Sequence, residues 1–178
     1  MNVSYAQFEP SARSVLRSAT AVDHEIVDAA YGRFRLATRT GYSGFLIAHA
    51  RILPVAERVL DPGSLLPDWV GRTQALLSDL DALGLDRPEE IAFPLPESEG
   101  ARWGAIYVLE GSRLGGDMLS RTVPSRYPST YIASRHGQGQ WRALVEQLDE
   151  ADKGPHWQRE AIAGAKSLFG AYLEAARA

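Results

Sequence analysis

The chain has no cysteine, which removes disulfides, thiolate metal sites and a catalytic thiol from consideration. It also lacks an excess of positive charge. Lys and Arg total 19 against 22 Asp and Glu, a formal charge of −3, so no basic field points to nucleic acid. No basic n-region followed by an apolar h-region opens the chain, and no apolar run reaches the ~18 residues of a membrane-spanning helix. A cytoplasmic protein without membrane contact is the expectation. Alternating strand patterns are scarce, with STYIAS (129–134) the nearest to one, and there is no repeat or low-complexity tract.

What is present is helical pattern. With 178 residues and 45% hydrophobic content, the chain has enough apolar material for one domain over 1–178, with residues 1–10 as an N-terminal arm. Ser11 is a plausible N-cap for a long helix to about Phe34. TRTGYSG (38–44) reads as a turn. A helix then runs to about Leu60, with a bend expected at Pro54. After the breaker-rich DPGSLLPDW, a third helix is expected to stop at Gly84. DRPEEIAFPLPESEG is loop, Trp103–Arg121 is helix, and Thr122–Gly139 is irregular. Two helices separated by Lys153-Gly154-Pro155 close the chain. The pattern predicts an all-α fold of about six helices with no internal domain boundary.

The helix Trp103–Arg121 carries glycine at 104, 111, 115 and 116. Each interior glycine costs a helix about 1 kcal/mol relative to alanine. At helical periodicity Gly104, Gly111 and Gly115 share one stripe, and Gly116 sits one step round from it. A stripe without side chains lets a large flat object lie on the backbone. Close helix–helix packing is the plainer alternative.

Among the four histidines, His49 lies in the apolar run GFLIAHARIL and reads as a packing residue, while His136 and His156 stand in loops and read as solvated. His24 shares a helix face with Arg17, Thr20, Val27, Asp28 and Tyr31. A carboxylate one turn along can fix the imidazole tautomer and leave the other nitrogen free for a metal. The same pair also occurs on plain solvated helices. No HExxH and no Glu-x-x-His motif supplies further ligands, so a metal here would arrive with most of its ligands, as haem does. GSRLGG lacks the Lys-Ser/Thr of a phosphate loop, Ser112 is not in a nucleophile elbow, and no carboxylate pair supports a hydrolase.

LRSATAVDHEIVD and YVLEGSRLGG, in that order, resemble the proximal and distal helices of the haem oxygenase family, closest to its bacterial, bacteriophytochrome-associated branch. YSGFLIAHARILPVAERVL and AKSLFGAYL fit the same pattern. The resemblance implies a single-domain multi-helical fold that holds haem between a proximal and a distal helix. It implies an oxygen- and electron-dependent enzyme that cleaves haem to biliverdin, carbon monoxide and ferrous iron, haem being both substrate and cofactor. An external donor of ferredoxin or flavodoxin type supplies the electrons, and a bacteriophytochrome is a candidate recipient of the biliverdin.

Carried over by position, His24 is the axial iron ligand and Asp28 its hydrogen-bond partner. Gly111 and Gly115, with Gly116 beside them, line the distal side. Arg17 and Arg142 are propionate partners, Tyr107 a propionate or pocket-wall contact, Phe169 a pocket aromatic, and Thr20 belongs to the proximal pattern. Ser112 stands where many members carry an aspartate that holds the proton-delivering water, so the proton's route is open. Two other readings stand beside the enzyme: a protein of the same fold that binds, stores or senses haem without degrading it, and a helical bundle serving another small molecule.

Overall fold

The computed structural model of the protein describes residues 10–177, the side chain of Asp117 excepted. Seven α-helices follow in order: α1 (Ala12–Ala19), α2 (Ala21–Tyr31), α3 (Arg39–Leu60), α4 (Thr73–Leu83), α5 (Glu99–Ser120), α6 (Gln140–Glu150) and α7 (Pro155–Arg177). A 3₁₀ turn over Pro62–Ser64 follows α3. No strand occurs among the described residues, and 130–133 form a turn, so the all-α expectation holds. The expected arm over 1–10 lies outside the described residues except for Pro10.

The expected single helix from Ser11 to Phe34 is two. Ser11 does cap α1, accepting from the Ser14 amide at 3.4 Å. The break comes at Thr20 (φ −113°, ψ 7°), whose buried hydroxyl donates back to the Leu16 carbonyl at 2.8 Å. Threonine offers the backbone an alternative partner in this way and bends or ends helices. This break raises the helix count from the expected six to seven among the described residues. Residues 39–44 of TRTGYSG, expected to be a turn, form the start of α3. Thr38 caps that helix by accepting from the Gly41 amide at 3.2 Å. Gly41 sits in the first turn because a Cβ there would meet the Arg35 backbone nitrogen at 2.6 Å. α3 then continues through Pro54 as one helix. α4 ends as expected at Gly84, which takes up the left-handed conformation (φ 67°).

The core runs along α3, α4, α5 and α7, where Leu46, Leu53, Leu80, Leu109 and Leu168 are wholly buried. Helices α5 and α7 make the most extensive contact. A Cβ on Gly104 would collide with the Ala161 carbonyl, one on Gly164 with the Ala101 carbonyl, and one on Gly100 would lie 2.6 Å from the Trp157 carbonyl oxygen. Gly104 therefore belongs to helix packing and leaves the stripe that was read as a resting place for a flat object. Gly116 also abuts backbone, with a Cβ there 2.8 Å from the Ile132 carbonyl oxygen. Gly111 and Gly115 differ. The former would meet only the Trp141 ring at 3.7 Å, and the latter nothing within 4 Å.

These surroundings set opposite expectations for one substitution. Gly104→Ala forces the tightest helix contact apart and should cost about 1–3 kcal/mol of stability, as overpacking does. Gly115→Ala meets no obstacle and should be neutral or gain up to ~1 kcal/mol from helix propensity. Urea-denaturation midpoints check this, and equal shifts for both variants would contradict the assignment.

Candidate functional site

A cavity of about 630 Å³ opens between α1–α2 on one side and the second half of α5 on the other. That size lies within the roughly 300–1,000 Å³ of pockets that take sizeable organic ligands. Arg17, Thr20, His24, Asp28, Tyr107, Gly111, Ser112, Gly115, Gly116 and Phe169 all line it, and Arg142 does not. α6 turns Leu144, Val145 and Leu148 into the core, which sends Arg142 outwards. Its side chain is 84% exposed and ion-pairs with Glu146 at 2.8 Å.

The break at Thr20 places His24 in the first turns of α2, on the cavity wall. His24 Nδ1 lies 3.1 Å from Asp28 Oδ2. A carboxylate there favours a hydrogen on Nδ1, the arrangement that leaves Nε2 to face the cavity. Phe169 on α7 meets the imidazole edge-on at 5.9 Å between ring centroids, which limits its rotation. On α5, Gly111 and Gly115 leave a bare stretch of helix surface, flanked by the rings of Tyr107 and Trp141, tilted at 35° with centroids 5.5 Å apart. No packing requirement explains glycine at 115.

These features suit haem. One imidazole nitrogen is free on one wall, and the bare turn on another admits a wide planar group. Val27, Val108, Ile132 and Phe169 supply apolar lining. No group of three or more His, Cys, Asp or Glu among the described residues is arranged to hold a bare metal ion.

The innermost wall is polar in a way the sequence did not suggest. Arg72, just ahead of α4, is buried, and its guanidinium donates to the Leu109 carbonyl at 2.8 Å and to Ser112 Oγ at 2.9 Å. Burial alone would lower its pKa, but Tyr131, Tyr172, Glu110 and Glu57 together hold it above the ordinary arginine value. Ser112 spends its own hydrogen on the Leu109 carbonyl at 2.7 Å. Beside Arg72 lie His49 and Tyr31, whose rings stand 4.6 Å apart. His49 is the packing residue it was expected to be, with Nδ1 2.9 Å from the Phe45 carbonyl oxygen. Yet it also borders the cavity. Burial pushes its pKa down to about 3, with the Phe45 bond opposing and Arg72 reinforcing the shift. The Tyr31 hydroxyl is buried without a hydrogen-bond partner among the described residues.

Behind α5, His136 is not solvated as its loop setting suggested. Its side chain is 11% exposed, with Nε2 3.0 Å from Glu110 Oε2. Glu110 is buried, accepts from Trp69 Nε1 at 2.9 Å and lies 2.7 Å from Arg113 Nε. Burial raises its pKa, but His136, Arg113 and Trp69 outweigh that and hold it below the usual carboxylate value. His156, by contrast, is 78% exposed.

Comparison with known proteins decides the family. A protein of Xanthomonas campestris pv. campestris (strain 8004) named haem oxygenase is 35% identical, the match covering 72% of this chain and 84% of that protein. The chain belongs to the haem oxygenase family. No family model matches it. The NO- and CO-bound haem oxygenase of Neisseria meningitidis superposes with a TM-score of 0.80 at 24% identity, covering 95% of this chain and 92% of that one. That likeness shows the haem oxygenase fold. No helix among the described residues is long and apolar enough to cross a membrane.

His49 gives the site a pH signature. A histidine buried neutral binds its proton less readily folded than unfolded, so the unfolded chain gains protons first as pH falls. Stability should be unaffected above about 6.5 and decline as pH falls from there towards 3. His49→Phe should flatten the decline between about pH 6.5 and the carboxylate range near 4.5. Unfolding free energies across pH check this; parallel curves for the two proteins would refute it.

Proposed function

We propose that this chain acts as one haem oxygenase domain that degrades haem with oxygen and externally supplied electrons. The observation that carries the reading is the pairing of His24, its Nδ1 engaged by Asp28 and its Nε2 free, with a second wall at Gly115, where the missing side chain serves no packing. Bound haem would supply the iron that takes oxygen and the ring that is oxidised, giving biliverdin, carbon monoxide and ferrous iron.

The chain's own contribution is positional. His24 Nε2 would hold the haem iron, and Asp28 would keep the hydrogen on the far nitrogen. Gly111 and Gly115 would let a planar ring lie close to α5, with Gly116 beside them. Thr20 fixes the start of α2, while Phe169 holds the imidazole plane. Arg17 would meet a propionate, and Tyr107 would form part of the pocket wall. Ser112 contributes through Arg72, not as a proton donor itself, since its hydrogen is committed to Leu109. Arg72, the bare Nε2 of His49 and the unpartnered Tyr31 hydroxyl are suited to hold ordered water, which needs two to four polar partners. Through such water a proton reaches the distal side. A ferredoxin- or flavodoxin-type donor, a cytoplasmic setting and delivery of biliverdin to a bacteriophytochrome complete the proposal.

Reconstitution with haem, followed by ascorbate or ferredoxin in air, should bleach the Soret band as biliverdin appears. A Soret band that persists without biliverdin would sink the enzyme reading. His24→Ala should lose the histidine-ligated spectrum and regain it with added imidazole. Asp28→Ala should keep the ligand and lose about tenfold in turnover, at the low end for partners of ligating histidines because the pair is exposed.

A further inference from the structure

We infer that Lys166 of α7 is a positioning residue for His24: its ion pair with Asp23, together with the Phe169 ring one turn on, holds the first turns of α2 and so the imidazole. The inference rests on the reading of His24 as the ligand of haem iron. Lys166 Nζ lies 2.8 Å from Asp23 Oδ2, and the neighbouring His24 meets Phe169 edge-on. Two adjacent residues of α2 are therefore gripped by two residues one turn apart on α7. α2 has little else to seat it there. Residues 21–29 bury no side chain, only Val27 among them packs partly against the core, and Val22 and Ile26 are 67% and 44% exposed. No side chain caps the helix, because the Thr20 hydroxyl is turned back to Leu16. Asp23 stands in the first turn, where a carboxylate also suits the positive end of the helix dipole.

The other end of the grip is rigid. Gly164, two residues before Lys166, receives the Ala101 carbonyl of α5 with no room for a Cβ, and Ala165 and Leu168 are wholly buried. α7 is therefore fixed to the helix that carries Gly111 and Gly115, and the ion pair and the Phe169 contact extend that fixed frame to His24. Both walls of the cavity are referred to one helix, so the imidazole is set against the bare surface of α5 without α2 being buried. The pair is partly solvated, with side-chain exposures of 47% and 30%, so its worth to global stability is small. Its effect falls on the turn that carries His24.

The test reads the iron–histidine stretching band of the ferrous haem complex by resonance Raman, the rate of haem transfer to excess apomyoglobin, and the urea midpoint of the apoprotein. Lys166→Ala, which leaves α2 untouched, should shift and broaden the band and speed haem loss about two- to fivefold, the range for a partly solvated ion pair. The apoprotein midpoint should stay within experimental scatter. Asp23→Ala should act alike, and the double variant no more than either single one, because both remove the same contact. Lys166→Arg should restore most of the wild-type behaviour. A wild-type band and haem-loss rate in Lys166→Ala would overturn the assignment, as would single effects that add in the double variant. A lowered midpoint with an unshifted band would make the pair a plain stability contact and overturn it equally. A wild type that takes up haem without an iron–histidine band would overturn the reading of His24 itself, a result distinct from the others.

Discussion

The contact between α5 and α7 is so close that neither Gly104 nor Gly164 has room for a single added carbon. Each glycine receives a backbone carbonyl of the facing helix, so the two axes are interlocked at two points. Interdigitation of this kind leaves little freedom to slide or rotate, because any shift brings backbone against backbone. The first half of α5 is thereby fixed to α7. The second half, at Gly111 and Gly115, finds no α7 backbone within reach. One helix thus has a packed half and an open half, and the cavity exists where the packing stops.

An open half-helix with three glycines is weak by its own propensity and needs support from behind. That support is ionic. Arg72 donates to the Leu109 carbonyl on one side, and on the other Glu110 gathers His136, Trp69 and Arg113. Buried charges are tolerable only when paired and hydrogen-bonded, and breaking such a set leaves an uncompensated ion. The same bonds dock the two irregular segments around residues 69 and 136 onto α5. Asp79 does similar work for the second segment, accepting from the amides of Thr130 and Tyr131 at 3.2 and 2.8 Å. The distal wall is therefore braced by loops that have little regular structure of their own.

This arrangement explains what could be read in the sequence. Helices bounded by strong local signals were legible: Ser11, Gly84 and the proline-rich stretch before α5 act within a few residues. The break at Thr20 was not, because it depends on one hydroxyl turning back to Leu16, with no glycine or proline to mark it. TRTGYSG misled in the other direction. Its glycines suggested a turn, whereas Gly41 is there because the Arg35 backbone leaves no room for a side chain. In the site, residues sharing a helix with His24 or Gly111 could be placed by periodicity. Arg142 could not, because its motif says nothing about which face of α6 looks inwards. Arg72 and His136 acquire their roles through contacts across 40 and 26 residues of sequence, beyond the reach of any spacing argument.

Ser112 shows what a position in the sequence leaves out: the partners of its hydroxyl. Its place beside Gly111, where many family members carry an aspartate, left the proton's route open. The hydroxyl has one hydrogen, however, and the Leu109 carbonyl holds it, while a lone pair receives Arg72. A serine so committed cannot also deliver a proton without breaking both bonds. Its geometry instead fixes the guanidinium at the cavity's inner wall, next to an uncharged imidazole and an unpartnered phenol. A carboxylate at the same position would meet Arg72 as an ion pair and draw it away from Leu109. The serine keeps Arg72 on the helix backbone, facing the same cavity as Tyr31 of α2 and His49 of α3.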